Sequence, residues 1–105
     1  MNLRGFLVKV DEILSDRVSG PVTLRHVDAL FRAFAEGLER RASTDADGVR
    51  GARQTADKLR YEITARFAAH TSKVPLSEAD PMFAVLQRLE TLATQERDKW
   101  WRRRA

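Results

Sequence analysis

Apolar residues recur at three- and four-residue spacing along four segments of the chain, which is the period of an amphipathic helix. The first apolar stripe runs from Leu3 to Leu14, and the last runs from Met82 to Trp100. Strict alternation of apolar and polar residues, the pattern of a half-buried strand, is absent from the sequence. The pattern predicts four helices, at about residues 3–17, 23–42, 48–70 and 81–103.

Helix-breaking or helix-capping residues separate the four segments. Residues 19–21, Ser-Gly-Pro, predict the end of the first helix, and Thr23 is the predicted N-cap of the second. Asp47 and Asp80 are the predicted N-caps of the third and fourth helices. Because the connections are short, the sequence predicts one all-α domain over residues 1–105, an antiparallel four-helix bundle.

Two helices carry apolar or small residues beyond the stripe that a bundle core requires. A small residue recurs at every fourth position on one side of the second helix, and small residues and a tyrosine lie outside the core stripe of the third. These residues are Ala29, Ala33, Gly37, Tyr61, Ala65 and Ala68. A second apolar surface favours packing against another helix, from a second copy of the chain or a different protein. The alternative is a less regular bundle that buries both faces internally.

The flank of the second helix reads Asp28, Arg32, Glu36 and Arg40, with opposite charges four residues apart. Side chains at this spacing lie next to each other on a helix. The sequence therefore predicts a solvated face on which these charges neutralise one another.

Composition excludes several classes of protein. Hydrophobic residues make up 43% of the chain and charged residues 32%, which is too apolar for a disordered polymer. Cysteine is absent, so no disulfide, thiolate metal site or thiol nucleophile is available. No apolar run reaches the length of about eighteen residues that a membrane span needs. We therefore expect a cytoplasmic protein that does not contact a membrane.

The net charge of +4 comes entirely from the C-terminal segment, since residues 1–96 hold fourteen basic and fourteen acidic residues. Residues 97–105 carry arginines beside an expected surface tryptophan, and both residue types are enriched at binding sites. The predicted contacts to a partner or a nucleic acid are Arg97, Trp101, Arg102, Arg103 and Arg104. The alternative is a solvated helix end whose arginines favour the helix dipole.

Residues for catalysis or metal binding are few. The two histidines, His26 and His70, fall on different predicted helices, and no metal-ligand or nucleotide motif is present. Residues 43–48 resemble the start of a calcium loop, but Gln54 stands where the bidentate carboxylate should be. Gly48 and Gly51 match the spacing of an RNA-clamping loop, which requires a sheet, and are expected to weaken the first turn of the third helix. We expect no catalytic activity, metal or cofactor.

These observations favour a non-enzymatic protein-binding module, such as a regulator, inhibitor or adaptor, that forms a homodimer. No small-molecule substrate is indicated. The alternative is a nucleic-acid-binding accessory subunit that uses the C-terminal Trp/Arg segment. A helix-turn-helix at residues 19–21 is disfavoured because the second helix lacks an exposed polar reading face.

Overall fold

Four α-helices make up the protein in a computed structural model, which describes residues 1–15, 24–73 and 81–102. They are α1 (Leu3–Ser15), α2 (Leu24–Ala42), α3 (Ala46–Lys73) and α4 (Pro81–Arg102). Within these ranges there is no strand. The predicted all-α four-helix bundle is confirmed.

The helix starts follow from local capping by asparagine and aspartate. At α1, Oδ1 of Asn2 accepts a hydrogen bond from the Gly5 amide at 2.8 Å. At α3, Oδ1 of Asp45 accepts one from the Gly48 amide at 2.7 Å, so the prediction of Asp47 as the cap was wrong. Asp47 lies instead in the first turn of α3. Either aspartate satisfies the cap preference, and the hydrogen bond identifies which one is used.

Other predicted boundaries fall partly outside the described residues. The turn at residues 19–21, the caps at Thr23 and Asp80, and the predicted helix ends at residues 17 and 103 all lie there. The third helix continues to Lys73, three residues beyond its predicted end at His70. A proline restricts chiefly the residue before it, so Pro75 leaves residues 71–73 free to remain helical.

Successive helices run antiparallel. In α1 and α2, the Phe6 ring lies between Phe31 and Phe34, with centroid distances of 5.6 and 5.0 Å. Between α3 and α4, Phe67 lies 6.3 Å from Phe83 near one end of the pair. At the other end of that pair, Arg53 of α3 contacts Trp101 of α4.

The N-terminal segment and the α2–α3 junction give the remaining directions. Met1 lies against Gly37 of α2, and Arg41 near the end of α2 lies against Gly48 near the start of α3. The result is an up-down-up-down arrangement, as predicted.

The helices α2 and α3 pack together at the centre of the bundle, and α1 and α4 lie on opposite sides of that pair. The α1 helix contacts α2 and α3 but does not approach α4 within the described ranges. The molecule measures 43 × 21 × 19 Å between Cα atoms. The 28 residues of α3 rise about 42 Å, so this helix sets the long axis.

The core follows the predicted stripes on all four helices. Its buried apolar residues are Phe6, Val10, Val27, Phe31, Phe34, Leu38, Ala42, Ala52, Ala56, Leu59, Ile63, Met82, Val85, Leu86, Leu89, Ala93 and Trp100. Leu24 continues the apolar spacing of α2 but is 46% exposed, because it is the first residue of the helix.

Ion pairs between helices replace the charge ladder predicted along α2. Within the described part of the chain, Asp28, Arg32, Glu36 and Arg40 form no ion pair with one another. Asp28 instead accepts a hydrogen bond from Nε of Arg88 in α4 at 2.9 Å, which raises the pKa of the Arg88 guanidinium. The ladder prediction was wrong because Asp28 pairs with the Arg88 guanidinium of a neighbouring helix and not with Arg32.

A second such pair joins α1 to α3. Nε of Arg66 donates to Oδ1 of Asp11 at 2.8 Å, and the same guanidinium contacts Glu62 one turn earlier in α3. The hydrogen bond to Asp11 raises the pKa of Arg66 against the opposing effect of burial. Arg66 therefore links α1 to the side of α3 away from α4.

Candidate binding surfaces

The small-residue stripe on α2 is partly covered by the chain itself. Ala29 is exposed and Ala33 is half-buried. Gly37 lies against the N-terminal segment, where a Cβ atom would come within 3.0 Å of the Met1 carbonyl oxygen. The chain itself therefore covers the stripe at Gly37, whereas Ala29 at its other end is exposed.

The corresponding patch on α3 is open along its whole length. Tyr61 is 72% exposed, and Ala65 and Ala68 are exposed as well. These residues lie on the side of α3 opposite the buried Leu59 and Ile63. We call Tyr61, Ala65 and Ala68 the α3 patch.

The structure does not bring the six predicted surface residues together. The α2 and α3 helices pack through their core faces, and Ala29 and Tyr61 each lie on the outer side of their helix. Outer sides of two helices packed in this way point in opposite directions. Ala29 on α2 and Tyr61 on α3 therefore lie on different sides of the bundle.

A shallow apolar groove adjoins the α3 patch. It has a volume of about 360 Å³ and runs between α1 and α3. Leu3, Leu7 and Tyr61 supply its apolar walls, and its charged lining consists of Asp57, Lys58 and Glu62. The groove extends the apolar surface of the α3 patch toward α1.

The C-terminal end of α4 lies against the first turns of α3. Trp101 is 40% exposed, and the Arg53 guanidinium carbon lies 5.0 Å from its ring centroid, a cation–π contact. Nε of Arg97 is 3.9 Å from carboxylate oxygens of both Asp57 and Asp98. Arg102 is exposed, whereas Arg103 and Arg104 lie outside the described residues. Two of the predicted contact residues, Trp101 and Arg102, thus share an exposed end with Arg53, which the prediction did not include as a site residue.

A buried polar group at this end of α4 was missed by the sequence analysis. Glu96 is 8% exposed, and its Oε1 accepts a hydrogen bond from Nε1 of the fully buried Trp100 at 2.7 Å. Lys99 lies between Glu96, at 3.8 Å, and Glu39 of α2, with which it is hydrogen-bonded. The available signal was the four-residue spacing of Glu96 and Trp100, which places a carboxylate beside an indole donor on one helix face.

A larger cavity, of about 490 Å³, lies where the C-terminal end of α2 meets the N-terminal end of α1 and α3. Its lining includes Arg4, Arg40 and Arg41, and none of its described lining residues is acidic. The cavity has no sequence signature because α1 and α2 contribute the three arginines from separate parts of the chain.

Residues with metal-binding or catalytic side chains are dispersed. In the described ranges, no group of three or more His, Cys, Asp or Glu side chains could hold a metal ion. His26 is on the exposed surface of α2, and His70 is half-buried near the end of α3. None of the described helices combines the length and the apolar character that crossing a membrane requires.

Comparisons with family models, curated proteins and solved structures find no match to this chain.

Proposed function

We propose that the protein is a non-enzymatic binding module of the cytoplasm, a regulator, inhibitor or adaptor, that binds protein through the α3 patch and self-associates there. The supporting observation is the exposure of Tyr61 beside the apolar groove of Leu3 and Leu7. Tyrosine is enriched at the centres of protein interfaces because its ring buries a large area with few rotatable bonds.

The spacing within the α3 patch suits pairing with a second copy. Tyr61 and Ala68 are separated by seven residues, two helical turns, so they lie on one line of the helix. In an antiparallel pair of α3 helices related by a two-fold axis, Tyr61 of each copy would face Ala68 of the other. The contact of the large Tyr61 side chain with the small Ala68 side chain then occurs twice, because every contact in an isologous interface is repeated by the two-fold axis.

Charges at the edge of the patch are compatible with this arrangement. In the same antiparallel register, Lys58 faces Thr71 of the second copy and Glu62 faces Phe67. No two like charges are placed opposite each other, so the pairing carries no electrostatic penalty of the kind that excludes wrong partners.

Analytical ultracentrifugation of the whole chain tests the proposal. We expect a dimer at tens of micromolar, and we expect Ala65→Arg to convert it to a monomer because two guanidinium groups would meet at the two-fold axis. The matched control is Ala29→Arg, which places the same residue at an exposed position on the opposite side of the bundle. Circular dichroism should show unchanged helix content for both variants.

A monomeric wild type at these concentrations would contradict self-association. Dissociation by Ala29→Arg, with Ala65→Arg still dimeric, would place the interface at the small-residue stripe of α2 instead. Equal dissociation by both variants would indicate an effect on folding, which circular dichroism would detect.

The second candidate is nucleic-acid binding through the C-terminal Trp/Arg segment. The contact between Arg53 and Trp101 favours it, because it extends the basic surface of the tail onto α3. A tryptophan flanked by arginines is suited to stacking on unpaired bases while the guanidinium groups contact phosphates. Asp57 and Asp98 work against it, since both lie near Arg97.

The test replaces Arg102, Arg103 and Arg104 with Ser and measures binding of single- and double-stranded oligonucleotides as a function of salt. If the tail binds phosphates, the log–log salt slope should fall by about 0.7–0.9 for each lost contact. Submicromolar binding by the wild type at about 150 mM salt, abolished in the triple variant, would favour this candidate, because non-specific binding is typically weaker than about 1 µM.

A further inference from the structure

Three exposed arginines line the cavity at the end of the bundle where α2 ends. Arg4 comes from the first turns of α1, and Arg40 and Arg41 come from the last turn of α2. Among the described lining residues of this cavity there is no carboxylate. Over the described ranges, none of the three arginines forms an ion pair or a hydrogen bond through its side chain. Three cations therefore line one concave site to which the described residues contribute no anion.

Arg41 lies against two glycines of α3. Its carbonyl oxygen lies so close to Gly48 that a Cβ atom there would come within 2.2 Å of it. Its guanidinium lies against Gly51, where a Cβ atom would come within 2.9 Å of Nη2. Both the backbone and the charged end of Arg41 are thus in contact with α3.

The rest of the cavity is mostly apolar and of a size suited to a small molecule. Leu3, Phe34 and Leu38 contribute to its walls, and Gly37 leaves room for the N-terminal segment. A volume of about 490 Å³ falls within the range of small-molecule pockets, roughly 300–1,000 Å³. Apolar walls beneath several cations favour an anion with an organic part over a bare ion.

We propose that this cavity, which we call the arginine pocket, binds a small phosphate-bearing molecule. The planar guanidinium donates two parallel hydrogen bonds to phosphate oxygens, and several guanidinium groups can share the oxygens of one or two phosphates. A ligand with at least two negative charges also removes the mutual repulsion of the three arginines. The inference does not depend on the α3 patch, because the arginine pocket shares only Leu3 with the adjoining groove.

Isothermal titration calorimetry of the whole protein with pyrophosphate and with ADP tests this. We expect a single site with Kd below about 1 mM for both probes and a tighter Kd for ADP, whose organic part reaches the apolar walls. Arg41→Gln and Arg4→Gln should each weaken binding about tenfold or more, the effect of losing a charge-assisted hydrogen bond. The matched control is Arg32→Gln, which removes the same charge from an exposed position on α2 outside the pocket.

The Gly51→Ala variant distinguishes an effect of the position of the Arg41 guanidinium from an effect of its charge. The added Cβ displaces the guanidinium while the net charge of the protein stays the same, so ADP binding should weaken several-fold with helix content unchanged. A wild type that shows no heat of binding at millimolar probe would overturn the proposal. Equal weakening by Arg32→Gln and Arg41→Gln would overturn it too, because that result indicates a diffuse attraction. Citrate binding as tightly as pyrophosphate at equal ionic strength would contradict the assignment to phosphate.

Discussion

At the scale of single residues, Gly48 and Gly51 show how a sequence pattern is misread without its neighbours. On sequence alone, both weaken the first turn of a helix, since glycine loses more backbone entropy than alanine. In the structure both lie where α2 contacts α3, and neither has a positive φ. At both positions glycine matters because it has no Cβ atom, and not because of its conformational freedom. The group that a Cβ atom would displace is a backbone carbonyl oxygen at position 48 and the end of a side chain at position 51.

Gly48→Ala should therefore destabilise the protein and Gly51→Ala should not. At position 48 the obstacle is the Arg41 carbonyl oxygen, and moving it separates two helices, an overpacking effect of about 1–3 kcal/mol. At position 51 the obstacle is the flexible end of a side chain, so the better helix propensity of alanine should leave the free energy of unfolding unchanged or higher by up to about 1 kcal/mol.

Urea denaturation followed by circular dichroism measures both variants, and each serves as the control for the other. A Gly48→Ala variant as stable as the wild type would mean that α2 and α3 can separate at this end without loss.

At the scale of the elements, α1 packs on the bundle through one stripe of apolar side chains. Phe6 and Val10 are buried, and Leu3, Leu7, Ile13 and Leu14 are partly buried against the core. The one described ion pair to another helix joins Asp11 to Arg66 and should contribute little, within about 1 kcal/mol, because Asp11 is largely exposed. The Phe6 ring, fully buried in contact with Phe31 and Phe34, is the largest side chain that α1 buries.

We expect Phe6→Ala to lower the free energy of unfolding by about 3–5 kcal/mol, the usual effect of removing a buried aromatic ring. Hydrogen exchange should rise first in α1, whose packing depends on the ring, and less in α3 and α4. Val8→Ala is the matched control, because Val8 is on the same helix but 50% exposed, and its effect should stay within about 0.5 kcal/mol. Uniform loss of protection in all four helices would show instead that α1 unfolds together with the whole bundle.

At the scale of the whole molecule, the elongated shape means that side-by-side and end-to-end dimers differ in length. The bundle is 43 Å long and about half as wide. Pairing through the α3 patch is centred about five residues from the middle of α3, which offsets the copies by about 15 Å. The dimer would then be about 60 Å long, whereas a dimer joined through the ends of α4 would reach about twice the length of one copy.

Small-angle X-ray scattering of the dimer fraction should therefore give a maximum dimension of about 60 Å for the backbone, increased by the length of the side chains at each end. Ala65→Arg should reduce the scattering mass by half. A maximum dimension near twice 43 Å would place the contact at the ends of the bundle and contradict the α3 patch as the interface.

Local spacing was sufficient to predict the four helices and most of the core. Phe6, Leu59 and Leu89 each follow the three- and four-residue spacing of the apolar residues in their helix, and all three are fully buried. The predicted start of α3 was wrong because two nearby residues, Asp45 and Asp47, are both suitable N-caps and the sequence does not distinguish them. The candidate surface residues stay a prediction, and the structure adds that Ala29 and Tyr61 lie exposed on two different helices.

The helical period, the buried side of each helix and the up-down order imposed by short connections follow from the sequence alone. These depend on neighbours three or four residues apart, whose geometry a helix fixes without reference to anything else. Three other features depend on the packing of the helices: Asp28 binds Arg88 rather than Arg32, Ala29 and Tyr61 are exposed on different helices, and Arg4 lines one pocket with Arg40 and Arg41. Each depends on which helices become neighbours and at what rotation, and that is set by how all the core side chains pack together.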